Sequence, residues 1–114
     1  DKDEIQRVVT NLIDNAIKYT EKGEIHLFLE QRDAFIEFAV KDTGVGIGLP
    51  KDQFGKLFER FFQERPMVDG AGVGLAICKN IIDVHKGTLW AESEGRGNGS
   101  TFKFTLPIAQ QAIS

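Results

Sequence analysis

The sequence predicts a two-layer α+β sandwich, with one mixed β-sheet and about three helices packed on one of its faces. Three observations carry this. The chain reads α-β-β-α-α-β-β in order. Its strands fall mostly in hairpin-like pairs with helices between them, the pattern of a segregated sheet and not of a doubly wound parallel one. The first two helical stretches each have one apolar face, so they need an apolar surface to cover. At 114 residues the chain is one domain with a real core, too short for two.

Asp3 can cap a first helix whose apolar residues are Ile5, Val8, Val9, Leu12, Ile13, Ala16 and Ile17, the i, i+3, i+4, i+7 spacing of one buried face. Gly23 ends the turn that follows. Residues 24–30 and 35–42 read as strands joined by the polar turn Gln31-Arg32-Asp33. In the second strand Ile36, Phe38 and Val40 share a face, and period 2 puts Asp42 at the end of that apolar row. Residues 42–48 form a glycine-rich loop closed by Pro50, and Phe54, Leu57, Phe58, Phe61 and Phe62 predict a second amphipathic helix. Residues 63–69 are polar and hold Pro66, which predicts a mobile loop. A third helix follows Gly70-Ala71-Gly72-Val73-Gly74-Leu75 and runs to His85-Lys86, with Gly87 as its stop. Strands over 88–93 and 100–106 close the fold around the turn 94–99, and Trp90 reads as sheet packing. Residues 1–108 form the domain, and 109–114 a frayed tail.

Composition narrows the function. The net charge is −3, so no broad basic field argues for nucleic acid or an anionic membrane. The single cysteine, Cys78, excludes an internal disulfide and fits a reducing, cytoplasmic setting. No apolar run approaches ~20 residues and no signal-peptide pattern opens the chain. It starts at Asp1 without a methionine, almost at once in a helix, as a piece of something longer would.

The first helix also carries an unusual polar stripe. Asn11, Asn15, Lys18 and Tyr19 fall at about 0°, 40°, −20° and 80° around the axis. Asparagine is a mediocre helix former, so two of them four apart gain nothing from propensity. The stripe is either a solvated face or the lining of a site. The two glycine loops let backbone N–H groups approach a ligand, yet they fit neither familiar phosphate template. A dinucleotide fingerprint would need glycine where Leu75 or Leu49 stands, and no G-x-x-x-x-G-K-[ST] stretch exists.

Taken together and in order, these segments resemble the ATP-binding catalytic domain of sensor histidine kinases, within the GHKL superfamily. "NLIDNAIKYT", residues 11–20, is similar to the N box, and Asp42-Thr-Gly44-Val-Gly46-Ile47 to the first glycine box. Phe58-Glu59-Arg60-Phe61-Phe62 looks like the F box, and Gly70-Ala-Gly72-Val73-Gly74-Leu75 like the second glycine box. Gly97-Asn-Gly99-Ser-Thr101-Phe102, running to Pro107, matches the closing strand motif. One such box would be weak evidence; five in order are strong.

The resemblance implies the Bergerat fold, with ATP between the helices under a lid. It implies that Asn15 offers its side-chain oxygen to Mg²⁺, that Lys18 faces the phosphates and that Tyr19 packs near the nucleotide. Asp42 would accept a hydrogen bond from the adenine 6-amino group, which guanine lacks. Gly44, Gly46 and Ile47 would pass close to the base. Gly70, Gly72, Val73, Gly74 and Leu75 would bring backbone N–H groups and a helix start to the phosphates. Thr101 would floor the adenine pocket. The arginine common after the F box is Gln63 here, so the cation near the phosphates is assigned to Arg60.

Asn11 occupies the place where the ATPase branches of the superfamily hold a water-activating glutamate. An amide cannot act as a general base at neutral pH, so Asn11, Lys18 and Arg60 are expected to serve phosphoryl transfer and not hydrolysis. Neither His26, followed by Leu27-Phe28, nor His85, followed by Lys86-Gly87, stands in an acceptor motif. The implied partners are an upstream dimerisation and phosphoacceptor domain of the same kinase, and a response regulator. The full protein would be a homodimer and this domain a monomer. Two other readings remain at this point: an ATPase that uses ATP for conformational change, and a catalytically silent docking module.

Overall fold

The computed structural model describes residues 2–18, 20, 22–44, 46–47, 51–59, 74–95 and 97–108. They form helix α1 (Lys2–Lys18), strands β1 (Ile25–Gln31) and β2 (Phe35–Asp42), a 3₁₀ helix (Lys51–Phe58), helix α2 (Gly74–Val84), and strands β3 (Thr88–Glu92) and β4 (Ser100–Pro107). The sheet order is β1-β2-β4-β3. The expected two-layer sandwich is present, but the described sheet is not mixed: every adjacent pair is antiparallel. The reason is topological. β2 and β3 are joined through the helical segment and run in the same direction, but β4 inserts between them. No parallel pair is therefore hydrogen-bonded.

Register fixes which residues face the helices. Phe38, Phe104 and Leu89 form one rung across β2, β4 and β3, and Val40, Phe102 and Ala91 form the next. Against this face lie Val8, Leu12 and Ala16 of α1, Phe54, Leu57 and Phe58 of the 3₁₀ helix, and Cys78, Ile81 and Ile82 of α2, all buried. Phe38 and Phe104 meet at 5.4 Å between ring centroids, and Phe58 meets the edge of Phe102 at 6.1 Å. Full burial of such side chains contributes roughly 1.5–3 kcal/mol each, so this one core fixes the whole layer arrangement. The opposite sheet face carries Glu37, Lys103 and Glu92, with Lys103 Nζ 3.4 Å from Glu92. Trp90 lies half-buried there and donates from Nε1 to Glu92 at 2.9 Å. That bond, followed by the Lys103 charge, holds the Glu92 carboxyl below its ordinary range against the opposing effect of burial.

Three local expectations shift. Helix α1 starts at Lys2, so Asp3 sits in its first turn beside Glu4, where an acidic group still favours the helix dipole. The second amphipathic helix is described as 3₁₀, ending at Phe58; Phe61 and Phe62 lie outside the described residues, as do the loop 63–69 and the tail 109–114. Gly87 is not the left-handed stop of α2. Lys86 takes that conformation, with φ 64°. The bonds Lys86 N–H to Asp83 O at 3.0 Å and Gly87 N–H to Ile82 O at 2.9 Å complete a Schellman cap. Gly87 is required by β4 instead, because a Cβ there would stand 2.0 Å from the Thr105 carbonyl oxygen.

Candidate functional site

At one end of the inner sheet face the apolar rungs give way to a polar one. Beyond Val40 and Phe102 come Asp42 and Ser100, directly opposite each other, and period 2 continues Leu89 and Ala91 to Ser93. Asp42 is only 3% exposed and Ser93 8%; a buried carboxylate is costly without partners. Asp42 has three. Its Oδ1 accepts the Gly44 N–H at 2.9 Å and the Ser100 N–H at 3.3 Å, and its Oδ2 accepts the Ser100 hydroxyl at 2.9 Å. A carboxylate has about four acceptor positions, so the described residues leave one open, on Oδ2.

The first glycine loop is folded over this rung. Gly46 has φ 75° and is buried, and Ile47 is buried in the core. Gly99 donates to Gly44 O at 3.2 Å. Its φ is +72° and a Cβ on it would lie 2.1 Å from Asp42 O, so a side chain there would force the two strands apart. The 94–99 turn and the glycine loop are thus stapled together directly over Asp42.

Helix α1 presents the stripe from its shoulder: Asn11 and Asn15 are half-buried and Lys18 is exposed. The Asn11 side chain meets the start of α2, since a Cβ on Gly74 would stand 3.9 Å from Asn11 Cγ. One turn further along α2 the Cys78 thiol donates to Val8 O at 3.8 Å. Burial pushes Cys78 up to about 11, against smaller opposing effects of Asn11 and the Arg7 charge, so it stays a neutral thiol. The N-box stripe and the end of the second glycine box therefore meet, through Asn11 and Gly74, with Leu75 half-buried behind them. Tyr19, Arg60, Gly70, Gly72 and Val73 lie outside the described residues.

Thr101 does not belong to this rung. It pairs with Lys41 and Glu92, so its side chain points to the outer sheet face, away from Asp42. Ser100 takes the place expected of it. The signal was in the sequence: with Phe102, Phe104 and Leu106 inward, parity puts Ser100 inward and Thr101 outward. Ser93 was missed for the same reason, as the polar end of an apolar row. His26 pairs with Glu24 at 2.9 Å on the outer face, and His85 Nδ1 donates to Ile81 O at 2.8 Å at the end of α2; neither joins the site.

Among the described residues no group of three or more His, Cys, Asp or Glu could enclose a metal ion. The donor set suits a different arrangement: a half-buried amide oxygen on Asn15 as one hard ligand to Mg²⁺, which keeps waters and binds mainly through phosphates. The free acceptor position on Asp42 fits an exocyclic amino group.

A family model described as "Histidine kinase-, DNA gyrase B-, and HSP90-like ATPase" matches residues 1–110. The chain is 45% identical over 112 residues to the adaptive-response sensory kinase SasA of Crocosphaera subtropica, covering 95% of this chain and 28% of SasA. Its fold superposes on the mycobacterial sensor histidine kinase MprB with a TM-score of 0.83 at 32% identity, covering 94% of this chain and 72% of that one. It also matches histidine kinase ThkA in complex with the response regulator protein TrrA, at a TM-score of 0.77 and 33% identity, covering 96% of this chain and 30% of that one. The chain spans little more than a quarter of the SasA sequence. On this family match over nearly the whole chain and the likeness to solved kinase domains, the chain belongs to the histidine kinase-, gyrase B- and HSP90-like ATPase family, among the catalytic domains of sensor histidine kinases.

Proposed function

We propose that this domain binds Mg²⁺-ATP and passes its γ-phosphoryl group to a histidine on a separate upstream dimerisation domain, as one step of two-component signalling. The observation that carries it is the Asp42 carboxylate, buried and held by Gly44 and Ser100, with one acceptor position that no described residue fills. An ionised carboxylate only accepts, so that position selects an adenine 6-amino group over a guanine 6-oxo group. Asn15 supplies one oxygen to Mg²⁺, and Lys18 a flexible point charge to the phosphates. Bound Mg²⁺ would offset phosphate charge during in-line transfer. Gly74 and the glycines before it bring backbone donors to the same end of the nucleotide, and Arg60 is the further cation. Asn11 has no basic atom with which to activate water, which favours transfer over hydrolysis. Ser100 replaces Thr101 as the base-pocket hydroxyl.

The relation of ThkA to TrrA supports a response regulator as the downstream partner. A homodimer built by the upstream helices, a monomeric isolated domain, a cytoplasmic setting and a domain limit near residue 108 complete the proposal. No helix among the described residues is long and apolar enough to cross a membrane.

Calorimetric titration with ATP, with and without Mg²⁺, tests it on the wild type and on Asn15→Ala. The wild type should bind ATP more tightly with Mg²⁺. Asn15→Ala should lose that increment while its thermal midpoint stays close to wild type, because Asn15 stands beside the buried face and not within it. A wild type that ignores ATP sinks the reading; a variant that only unfolds sinks the role of Asn15.

A further inference from the structure

We infer that Ser93 is a positioning residue for the nucleotide site: its hydroxyl pins the far end of the first glycine loop, so that Gly46 and Ile47 hold the base against Asp42. The inference rests on the ATP-binding reading above. Ser93 Oγ accepts the N–H of Ile47, 46 residues away in sequence, at 3.1 Å. It also accepts the Gly95 N–H at 3.1 Å and donates its proton to Gly99 O at 2.8 Å, with Gly95 O a longer alternative at 3.4 Å. A hydroxyl has one donor and two acceptor positions, and all three are used. One buried oxygen therefore joins the glycine loop, the end of β3 and the 94–99 turn.

The geometry gives this bond a specific consequence. The near end of the loop is held by Asp42 and Gly99, through Gly44. Its far end, after the left-handed Gly46, is tied by Ser93. Without the hydroxyl, the buried Ile47 N–H, the half-buried Gly95 N–H and the Gly99 carbonyl lose this partner, and the loop gains conformations in which Ile47 is displaced. When the competent state is populated only to a fraction f, apparent affinity falls by that fraction. The defect lies at the base end, so ATP and ADP should weaken equally.

The test titrates ATP and ADP into wild type, Ser93→Ala and Ser93→Thr well below their melting temperatures, and follows amide exchange at Ile47. Ser93→Ala should bind both nucleotides roughly threefold to tenfold more weakly and exchange the Ile47 amide faster. Ser93→Thr, which keeps the hydroxyl, should restore both. A lower thermal midpoint with unchanged affinity would make Ser93 merely structural and overturn the inference. So would rapid Ile47 exchange in the wild type, a measurement that holds even if Ser93→Ala fails to fold. A wild type that binds no ATP is seen before any variant is made, and overturns the functional reading itself.

Discussion

At the scale of single residues, the proposed recognition of adenine rests on the polar rung of Asp42, Ser100 and Ser93. Asp42 and Ser93 are buried and Ser100 is half-buried, and among the described residues each is hydrogen-bonded, with one position on Asp42 Oδ2 left open. Replacing Asp42 with Asn keeps the shape but makes the group ambivalent, since an amide can turn its N–H₂ outward. Asp42→Asn should weaken ATP by roughly 1.5–3 kcal/mol, the worth of a charged hydrogen bond, and should remove the penalty against GTP. Calorimetry with both nucleotides decides it, and unchanged ATP affinity with no gain for GTP would refute the assignment. A paired comparison places the hydroxyl: Ser100→Ala should weaken ATP, whereas Thr101→Ala on the outer face should not. The position of Asp42 was legible in the sequence, because three apolar residues at period 2 lead up to it. Ser100 was legible too, by the same parity, but a motif aligned by its threonine led one residue astray.

Elements were easier to read than their ends. The buried face of α1 and the pairing of β1 with β2 follow from periodicity and a short polar turn, both local. The order of the sheet did not, because the insertion of β4 between β2 and β3 is decided by where the whole inner face can be covered. Nor did the cap of α2. Glycine at 87 looked like the helix stop, yet the left-handed residue is Lys86, and Gly87 is there for its close approach to β4. These roles predict opposite outcomes for two neighbouring substitutions. Lys86→Gly should stabilise the domain by about 0.5–1 kcal/mol, the left-handed penalty of an L-residue less the chain entropy of glycine. Gly87→Ala should destabilise it by about 2–3 kcal/mol, because its methyl must displace a backbone carbonyl. Denaturant midpoints of the two variants check this; a destabilising Lys86→Gly would take the left-handed role from Lys86, and a tolerated Gly87→Ala would refute the close approach to β4.

For the molecule as a whole, the proposed function separates binding a nucleotide from using it. In the proposed reading Asn15, Lys18 and Asp42 hold the nucleotide, whereas Asn11, which faces the start of α2 beside Gly74, brings no base for water. The two histidines are likewise spent elsewhere, His26 on Glu24 and His85 on the Ile81 carbonyl. The chain alone should therefore bind ATP, turn it over only slowly and acquire negligible label from γ-labelled ATP. Addition of the upstream helical domain, joined or as a separate piece, should produce label that is stable in alkali and lost in acid, as a phosphorus–nitrogen bond requires. The increase should depend on Asn15 and Mg²⁺, because transfer needs the phosphates held in line while the acceptor approaches. Rapid phosphate release by the chain alone would point to an ATPase whose base lies beyond the N box. Alkali-labile label would instead indicate a serine acceptor, and the histidine acceptor proposed here would be wrong.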